Sequence, residues 1–384
     1  INRLETKWGI KDAKNRVMCF DIQREDELFK GWSDDSKAPS REMLSNGKAS
    51  RYKTGPYGDG KGLDHFVNAA GGIDIIIGGP PCQAYSVAGR VRDENGMKDD
   101  YRNYLFEHYL SVVNRYQPKV FVFENVPGLL SAMSDGTPII QLIESGFSSI
   151  GYEIVDDVKK YAKVDASDYG VPQNRERLII LGIRKDLCED VQVILHRFYL
   201  EILPKYKSKK KKTVAEAIGD LPKITPIIND EELKSRIGYS KPECHTTWHR
   251  ARHHSLRDVE IYRMLANDIQ SGRNEYVDSK SLSDLYEEKV GAKSPIHRYH
   301  VLRADEPSTT IISHLDRDGN RFIHYDPEQG RDITPREAAR IQSFDDDFDF
   351  IGNQTDTYIM IGNAVPPLLA KCVGLAVSEV LDIL

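Results

Sequence analysis

The 384-residue chain has no run of 18 consecutive apolar residues, so no segment reads as a membrane span. Its opening stretch, INRLETKWGIKDAKNR, is charged and lacks the apolar centre of a secretion signal. Cysteine is scarce. Cys19, Cys82, Cys188, Cys244 and Cys372 are odd in number and scattered, which excludes a disulfide framework and fits reduced thiols in a cytosolic protein. Charge of one sign is in short supply too: 53 basic against 59 acidic residues leave −6. No global field therefore draws the protein to nucleic acid, and any such binding must come from local patches. Internal repeats and long low-complexity tracts are absent. What is present, 40% hydrophobic and 29% charged residues, is the composition of a globular protein large enough for two domains.

Three short apolar segments have the look of buried parallel strands: Ile73–Ile77, Lys119–Phe123 and Leu178–Ile183. Between the first two, Leu105, Tyr109, Val112, Val113 and Tyr116 recur at helical spacing, and Pro118 marks the exit. Strand, helix, strand at this pitch predicts an α/β fold with a doubly wound, mostly parallel sheet, whose ligands collect at the carboxyl ends of strands. Cys82 lies just beyond one such end and Glu124-Asn125 at another. From about Lys185 to Gly330 no periodicity is sustained, which predicts a second, less regular domain. Regular structure returns at Thr334-Pro335-Arg336-Glu337, a capping box with proline at the first helical position. A last apolar helix runs from Pro366 to Leu384.

Candidate chemistry gathers at the strand ends. A free cysteine is usually a small buried hydrophobe, a reading that suits Cys188 or Cys372. It suits Cys82 poorly, because Gly78-Gly79-Pro80-Pro81 is a stiff turn that a core residue does not need; exposure in a polar setting is what a reactive thiolate requires. Glu124 leaves an apolar strand, either as a salt-bridged acid or as a partly desolvated one suited to sharing a proton. Gln173-Asn174-Arg175-Glu176-Arg177 precedes the third strand, and its arginines are either solvated edge charges or forks for an oxygen-rich substrate.

Together these stretches resemble the DNA cytosine-5 methyltransferase family. The Pro-Cys-Gln turn is Pro81-Cys82-Gln83, the Glu-Asn-Val motif is Glu124-Asn125-Val126, and the Gln-x-Arg-x-Arg motif is Gln173, Arg175 and Arg177. Arg336-Glu337-Ala338-Ala339-Arg340 is similar to the family's helix that packs the recognition domain onto the catalytic one. Gly362-Asn363-Ala364-Val365-Pro366-Pro367 resembles its Gly-Asn-x-Val-Pro signature. Five motifs in order across residues 73–367 make chance agreement implausible.

The resemblance implies a class I, Rossmann-like methyltransferase that uses S-adenosylmethionine and releases S-adenosylhomocysteine. Cys82 would attack C6 of cytosine, Glu124 would hold N3 and the 4-amino group, and Arg177 would hold the 2-carbonyl with Arg175 close by. A base inside a duplex is out of reach, so it must be flipped out, and Ser86 with Val87–Asn95 resembles the loop that closes over it. Gln83, Ser86 and Arg90 are the DNA contacts implied there. Asp21, Ile22, Pro81, Leu105, Asn363 and Val365 are the implied cofactor contacts. The family's Phe-x-Gly-x-Gly-Gly loop and the acid after it are not in the chain. The expectation is a strand–helix pair missing upstream of Ile1, or else a split or degenerate protein, with poor cofactor affinity without that loop.

The implied organisation is a catalytic domain over 1–185, a target-recognition domain over 186–333, and a return to the catalytic domain over 334–384. The recognition region carries KYKSKKKK at 205–212, with six lysines in eight residues. Such a run is either a solvated face or a phosphate contact. His245, Trp248, His249, Arg250, Arg252, His253 and His254 form a basic and aromatic cluster, of which His249 and Arg252 are expected at the DNA. Cys244 beside them invites a zinc reading, but Cys-x-x-Cys spacing is missing, and no metal is expected. Thr309-Thr310-Ile311 resembles the stretch beside the flipped nucleotide's backbone, which assigns Thr310 to DNA. The implied protein is a monomeric, cytoplasmic, nucleoid-associated modification enzyme acting on double-stranded DNA without a membrane. Its implied partner is a restriction endonuclease of the same specificity. Two alternatives stand beside it: a tRNA methyltransferase of the same family, against which the roughly 150-residue insert between motifs argues, and a non-catalytic DNA-binding subunit.

Overall fold

The structure is a computed structural model and describes residues 2–7, 9–11, 22, 24–31, 61–80, 105–134, 136–228, 236–291 and 299–384. Strand β1 (Ile75–Gly78) leads through helix α1 (Leu105–Tyr116) to β2 (Val120–Asn125), and the two strands pair in parallel, Ile75 with Val120 and Gly78 with Phe123. Helix α1 spans the residues its periodicity predicts and buries Leu105, Phe106, Tyr109 and Val113. Helix α2 (Ile139–Ser149) follows, then β3 (Tyr152–Ile154), β4 (Lys163–Asp165) and β5 (Glu176–Arg184). The strand order is β1-β2-β5-β3, with β4 also on β5.

The α/β class expected from the sequence stands, but one strand direction does not. Leu178–Ile183, read as a parallel strand, lies in β5 and runs antiparallel to β2, with Val120 opposite Ile183 and Glu124 opposite Ile179. A continuous apolar run specifies burial on both faces. Direction is set by how the intervening chain returns, which the run does not encode.

The sheet core is aromatic. Phe121 stacks on Phe147 at 3.9 Å between ring centroids, and Tyr109 meets Phe123 edge-on at 5.4 Å. The buried phenols are satisfied: Tyr109 donates to the Val122 carbonyl at 3.0 Å, and Tyr152 to that of Pro118 at 2.6 Å. Each such side chain adds about 1.5–3 kcal/mol by leaving water.

Compactness divides the chain into two units. One comprises Ile1–Val164, Glu176–Tyr206 and Gly374–Leu384; the other comprises Asp165–Arg175 and Lys207–Val373. These limits differ from the boundaries expected at 185/186 and 333/334, because the capping-box helix shares its core with residues from the 207–333 stretch.

Within the second unit the chain is more regular than its sequence implies. Helix α3 (Leu256–Gln270) starts at Ser255, whose side chain accepts from the Asp258 amide, and buries Val259, Tyr262, Leu265 and Ala266. Helix α4 (Ser279–Val290) starts at Asp278 and ends at Gly291 with φ 73°. The caps and spacings were present in the sequence, but the many polar residues between them masked the period. Helix α5 (Pro335–Ile341) carries the predicted capping box, Thr334 to the Glu337 amide and Glu337 back to that of Thr334. It packs with Val214, Ile218, Ile311, Phe322 and Tyr358.

Beside that core lies a buried polar network. Arg331 and Glu337 form a bidentate pair with both contacts at 2.7 Å, and each is at most 1% exposed. Burial pushes the Glu337 carboxyl up, but the charge and hydrogen bonds of Arg331 outweigh this and hold it down at about 2. His324 lies 3.7 Å from Glu337, and burial together with Arg331 pushes its imidazole down to about 4. Asp332, also buried, is held below the usual carboxylate range: burial opposes this, and His254 and Arg252 overcome it.

The chain closes with α6 (Gln354–Asn363) and α7 (Pro367–Ile383). The stretch Gln354–Ile383 is long and apolar enough to cross a membrane by length and composition alone. Ala364–Pro366 breaks it into two helices, and Tyr358, Ile361, Leu369, Ala376 and Val380 are buried within the protein.

Candidate active site

Register brings the first groups together. Gly78 faces Phe123, so Gly79 arrives beside Glu124 as β1 ends. A Cβ on Gly79 would stand 2.7 Å from the Glu124 carboxylate oxygen Oε2, closer than real Cβ contacts come. The next residue is held as well: the buried Asn125 donates its amide Nδ2 to the Pro80 carbonyl at 3.3 Å. Gly79 and Pro80, where β1 ends, are therefore tied to the strand end that carries Glu124.

Arg177 reaches the same carboxylate from the other side. Glu124 is opposite Ile179 on β5, and Arg177, two residues away on the same strand face, is its diagonal neighbour. Its Nε lies 3.1 Å from Glu124 Oε1, with the two side chains 12% and 20% exposed. Mostly covered in this way, the pair has its geometry fixed by strand pairing. A carboxylate and a planar fork on adjacent strand ends can together grip a flat ring bearing both donor and acceptor edges.

Arg175 is placed differently from the expectation that it stands beside Arg177 at the substrate. It is buried, and its guanidinium donates to the carbonyls of Ile311 at 2.8 Å, Gly362 at 2.8 Å and Ala364 at 3.1 Å. Backbone carbonyl dipoles converge on this buried cation where a substrate was expected. Gln173 works alongside: it accepts from the Ile311 amide at 2.8 Å and donates to Gln342. Gln342 in turn donates to the carbonyls of Ile361 and Ala364, both at 2.9 Å. The three side chains form a clasp inside the second unit, holding residues 361–364 to Ile311. Gly362 allows the approach, since a Cβ there would lie 2.3 Å from the Ser313 amide nitrogen. The alternation in Gln-x-Arg-x-Arg thus splits two structural residues from Arg177. Gln342 was not singled out from the sequence, and its place directly after α5 is the only signal it gave.

The remaining expected cofactor and DNA residues fall as follows. Ile22 is half-buried in a turn and Leu105 is buried at the start of α1. Asn363 is exposed at the end of α6, and Val365 is half-buried beyond it. Thr310 donates to the Asn174 carbonyl at 2.7 Å and lines a 390 Å³ cavity with Thr309, Tyr299 and Arg321. Asp21, Pro81, Cys82, Gln83, Ser86 and Arg90, with the Val87–Asn95 loop, lie outside the described residues.

Two recognition residues are turned inward. His249 is buried, with Nε2 2.8 Å from the Pro222 carbonyl and Nδ1 3.3 Å from Thr334 Oγ1. Arg252 binds the buried Asp332 carboxylate and the Asp316 carbonyl. Both were expected at DNA; each instead satisfies a buried polar partner that would otherwise be stranded. The lysine run is also mostly engaged: Lys205 pairs with Glu379, Lys207 with Asp168, Lys210 with Glu216, and Lys211 with Asp165 and Asp168.

Comparison with known proteins adds the family. The model of the C-5 cytosine-specific DNA methylase family matches residues 49–379. The chain is 35% identical over 327 residues to the type II methyltransferase M.Bpa9945I of Bacillus paralicheniformis, covering 81% of this chain and 71% of that protein. It is 33% identical over 307 residues to the type II methyltransferase M1.HphI of Haemophilus parahaemolyticus, covering 80% and 68%. Against the type II methyltransferase M.XorII of Xanthomonas oryzae it is 33% identical over 313 residues, covering 79% and 67%.

Proposed function

The chain belongs to the C-5 cytosine-specific DNA methylase family, and from that premise we propose that it methylates C5 of a flipped-out cytosine in a specific duplex sequence through a covalent bond from Cys82 to C6. The observation that carries the reading is the Glu124–Arg177 pair at the strand ends, against which Gly79 and Pro80 are packed.

The Cys82 thiolate adds to C6, forming the S–C6 bond and moving the C5–C6 π electrons onto C5 and the ring's N3 edge. Glu124 holds that edge, accepting from the 4-amino group and sharing a proton with N3, while Arg177 donates to the 2-carbonyl. C5 then takes the methyl group. Loss of the C5 proton to a base and breakage of the C6–S bond restore the aromatic ring and the thiolate. Pre-positioned donors at a developing charge typically contribute a hundredfold or more each, about 2.7–4 kcal/mol.

S-adenosylmethionine, when bound, supplies the methyl group and leaves as S-adenosylhomocysteine. The described residues fit such a group in kind. Half-buried Ile22 offers apolar surface for a ring, and Leu105, buried at the start of α1, is a further proposed contact. Asn363 is exposed, and the clasp engages the carbonyls of its neighbours Gly362 and Ala364. Asp21, Pro81 and Val365 complete the proposed contacts, and Gln83, Ser86, Arg90 and Thr310 are proposed at the DNA. Arg175 becomes a positioning residue.

In this reading residues 1–185 and 334–384 carry catalysis and 186–333 carry target recognition. The protein acts in the cytoplasm at the nucleoid, as a monomer and as the modification partner of an endonuclease with the same target. Incubation with labelled S-adenosylmethionine and, separately, duplex DNA and tRNA is the test. Label is expected in DNA, with none after Cys82→Ser although DNA is still bound, and DNA carrying 5-fluorocytosine is expected to trap an adduct through Cys82. Label in tRNA alone, or an active Cys82→Ser variant, would reject the proposal.

A further inference from the structure

Within the second unit, two extended segments, 236–241 and 250–255, are tied together by an antiparallel bridge between Ile237 and His254. They border a cleft of about 700 Å³. Arg236, Lys241 and Arg250 line it and are exposed, and among the described residues none of the three has an ion-pair partner. His253, exposed as well, stands beside them.

Two acids there, Asp332 and Asp258, are already balanced. Asp332 is held by Arg252 and His254, whose side chains also reach this cleft, and Asp258 in the lining lies 3.4 Å from Arg257. Among the described residues the mouth therefore keeps three cations without an ion-pair partner. Arg250 is also braced: its guanidinium lies 4.7 Å from the centroid of the Trp248 ring, and that ring donates Nε1 to the Phe350 carbonyl at 3.1 Å. A stacked guanidinium loses less freedom on binding than a free one.

We propose that this cleft grips the sugar–phosphate backbone of the target duplex through Arg236, Lys241 and Arg250, so that it supplies affinity and orientation without reading bases. The inference rests on the DNA substrate proposed above. It moves the DNA contact of this region from the inward-turned His249 and Arg252 to Arg250 of the same cluster and to Arg236 and Lys241, which the sequence left less conspicuous. Two planar forks and one ammonium around an open cleft suit bridging phosphate oxygens.

The test uses the full chain with Arg236→Gln, Lys241→Gln, Arg250→Gln and the triple variant, measuring affinity for cognate and non-cognate duplexes from low to moderate salt. Each phosphate contact removed is expected to flatten the slope of log K against log salt by about 0.9, so the triple variant loses close to three times that. Affinity should fall alike on both duplexes. In steady state the loss should appear in KM for DNA, not in kcat, and the methylated sequence should stay the same. Lys209→Gln with Lys212→Gln, the same kind of charge change outside the cleft, should flatten the slope much less. An unchanged slope in the triple variant overturns the proposal while leaving the enzyme's reaction intact. A changed target sequence overturns it in favour of base reading. A wild-type chain that binds and methylates no DNA would remove the reading beneath it as well.

Discussion

The sheet of the first unit and the interior around α5 in the second bury their side chains by opposite means. In the sheet, Phe121, Phe123, Phe147 and Tyr109 exclude water with few polar atoms to satisfy. Around α5, Arg331, Glu337, His324, Asp332 and Gln329 are buried together, each acceptable only because another is present. The apolar core degrades gradually when trimmed. The polar one is conditional, since removing one member strands a charge. The difference teaches where this protein is most sensitive to a single substitution and to acid.

The largest expected effect tests that conditionality. Glu337→Gln leaves the Arg331 guanidinium buried without its counter-charge and should destabilise the protein by about 3–5 kcal/mol, read by urea denaturation. Arg331→Met with Glu337→Leu should recover much of that loss, whereas an additive double variant would show that the network is not a unit.

Acid is the next lever. His324 titrates near 4 when folded against an ordinary value of 6.5, so the unfolded chain binds the extra proton between those limits. Stability carried by the neutral imidazole is thus complete above about 6.5 and lost as pH falls toward 4, by up to roughly 3 kcal/mol. His324→Gln should flatten the melting-temperature profile across that window. An unaltered profile would place the acid sensitivity elsewhere.

In the sheet unit, Gly79→Ala presses a methyl group onto Glu124 and should cost about 1–3 kcal/mol of strain or shift the carboxylate. Methyl transfer is expected to slow about tenfold or more with DNA affinity unchanged, and wild-type rates would remove Gly79 from the site. The smallest effect is Thr334→Ala, which deletes one half of the α5 capping box and should lower stability by about 1 kcal/mol in thermal unfolding.

Legibility followed the same divide. Helix α1, the strands around Phe121 and Ile180, and the α5 cap were readable because apolar period and capping chemistry are local properties. The Glu124–Arg177 pair was half readable: both residues were singled out, but only the antiparallel register of β2 and β5 makes them diagonal neighbours. Arg175 misled because an arginine in a motif looks the same whether it faces a substrate or three carbonyls. His249 and Arg252 misled for the same reason, and their less prominent neighbours Arg236 and Lys241 kept the open charge.

By itself the sequence determined the α/β class, the family motifs and their order, and the places of α1 and α5, because side-chain period and caps act within a few residues. Tertiary structure alone decided the direction of β5 and which polar groups are consumed by burial. Those outcomes depend on partners far along the chain, such as Arg175 with Gly362 or Arg252 with Asp332, and a charge reveals its use only when its partner is known.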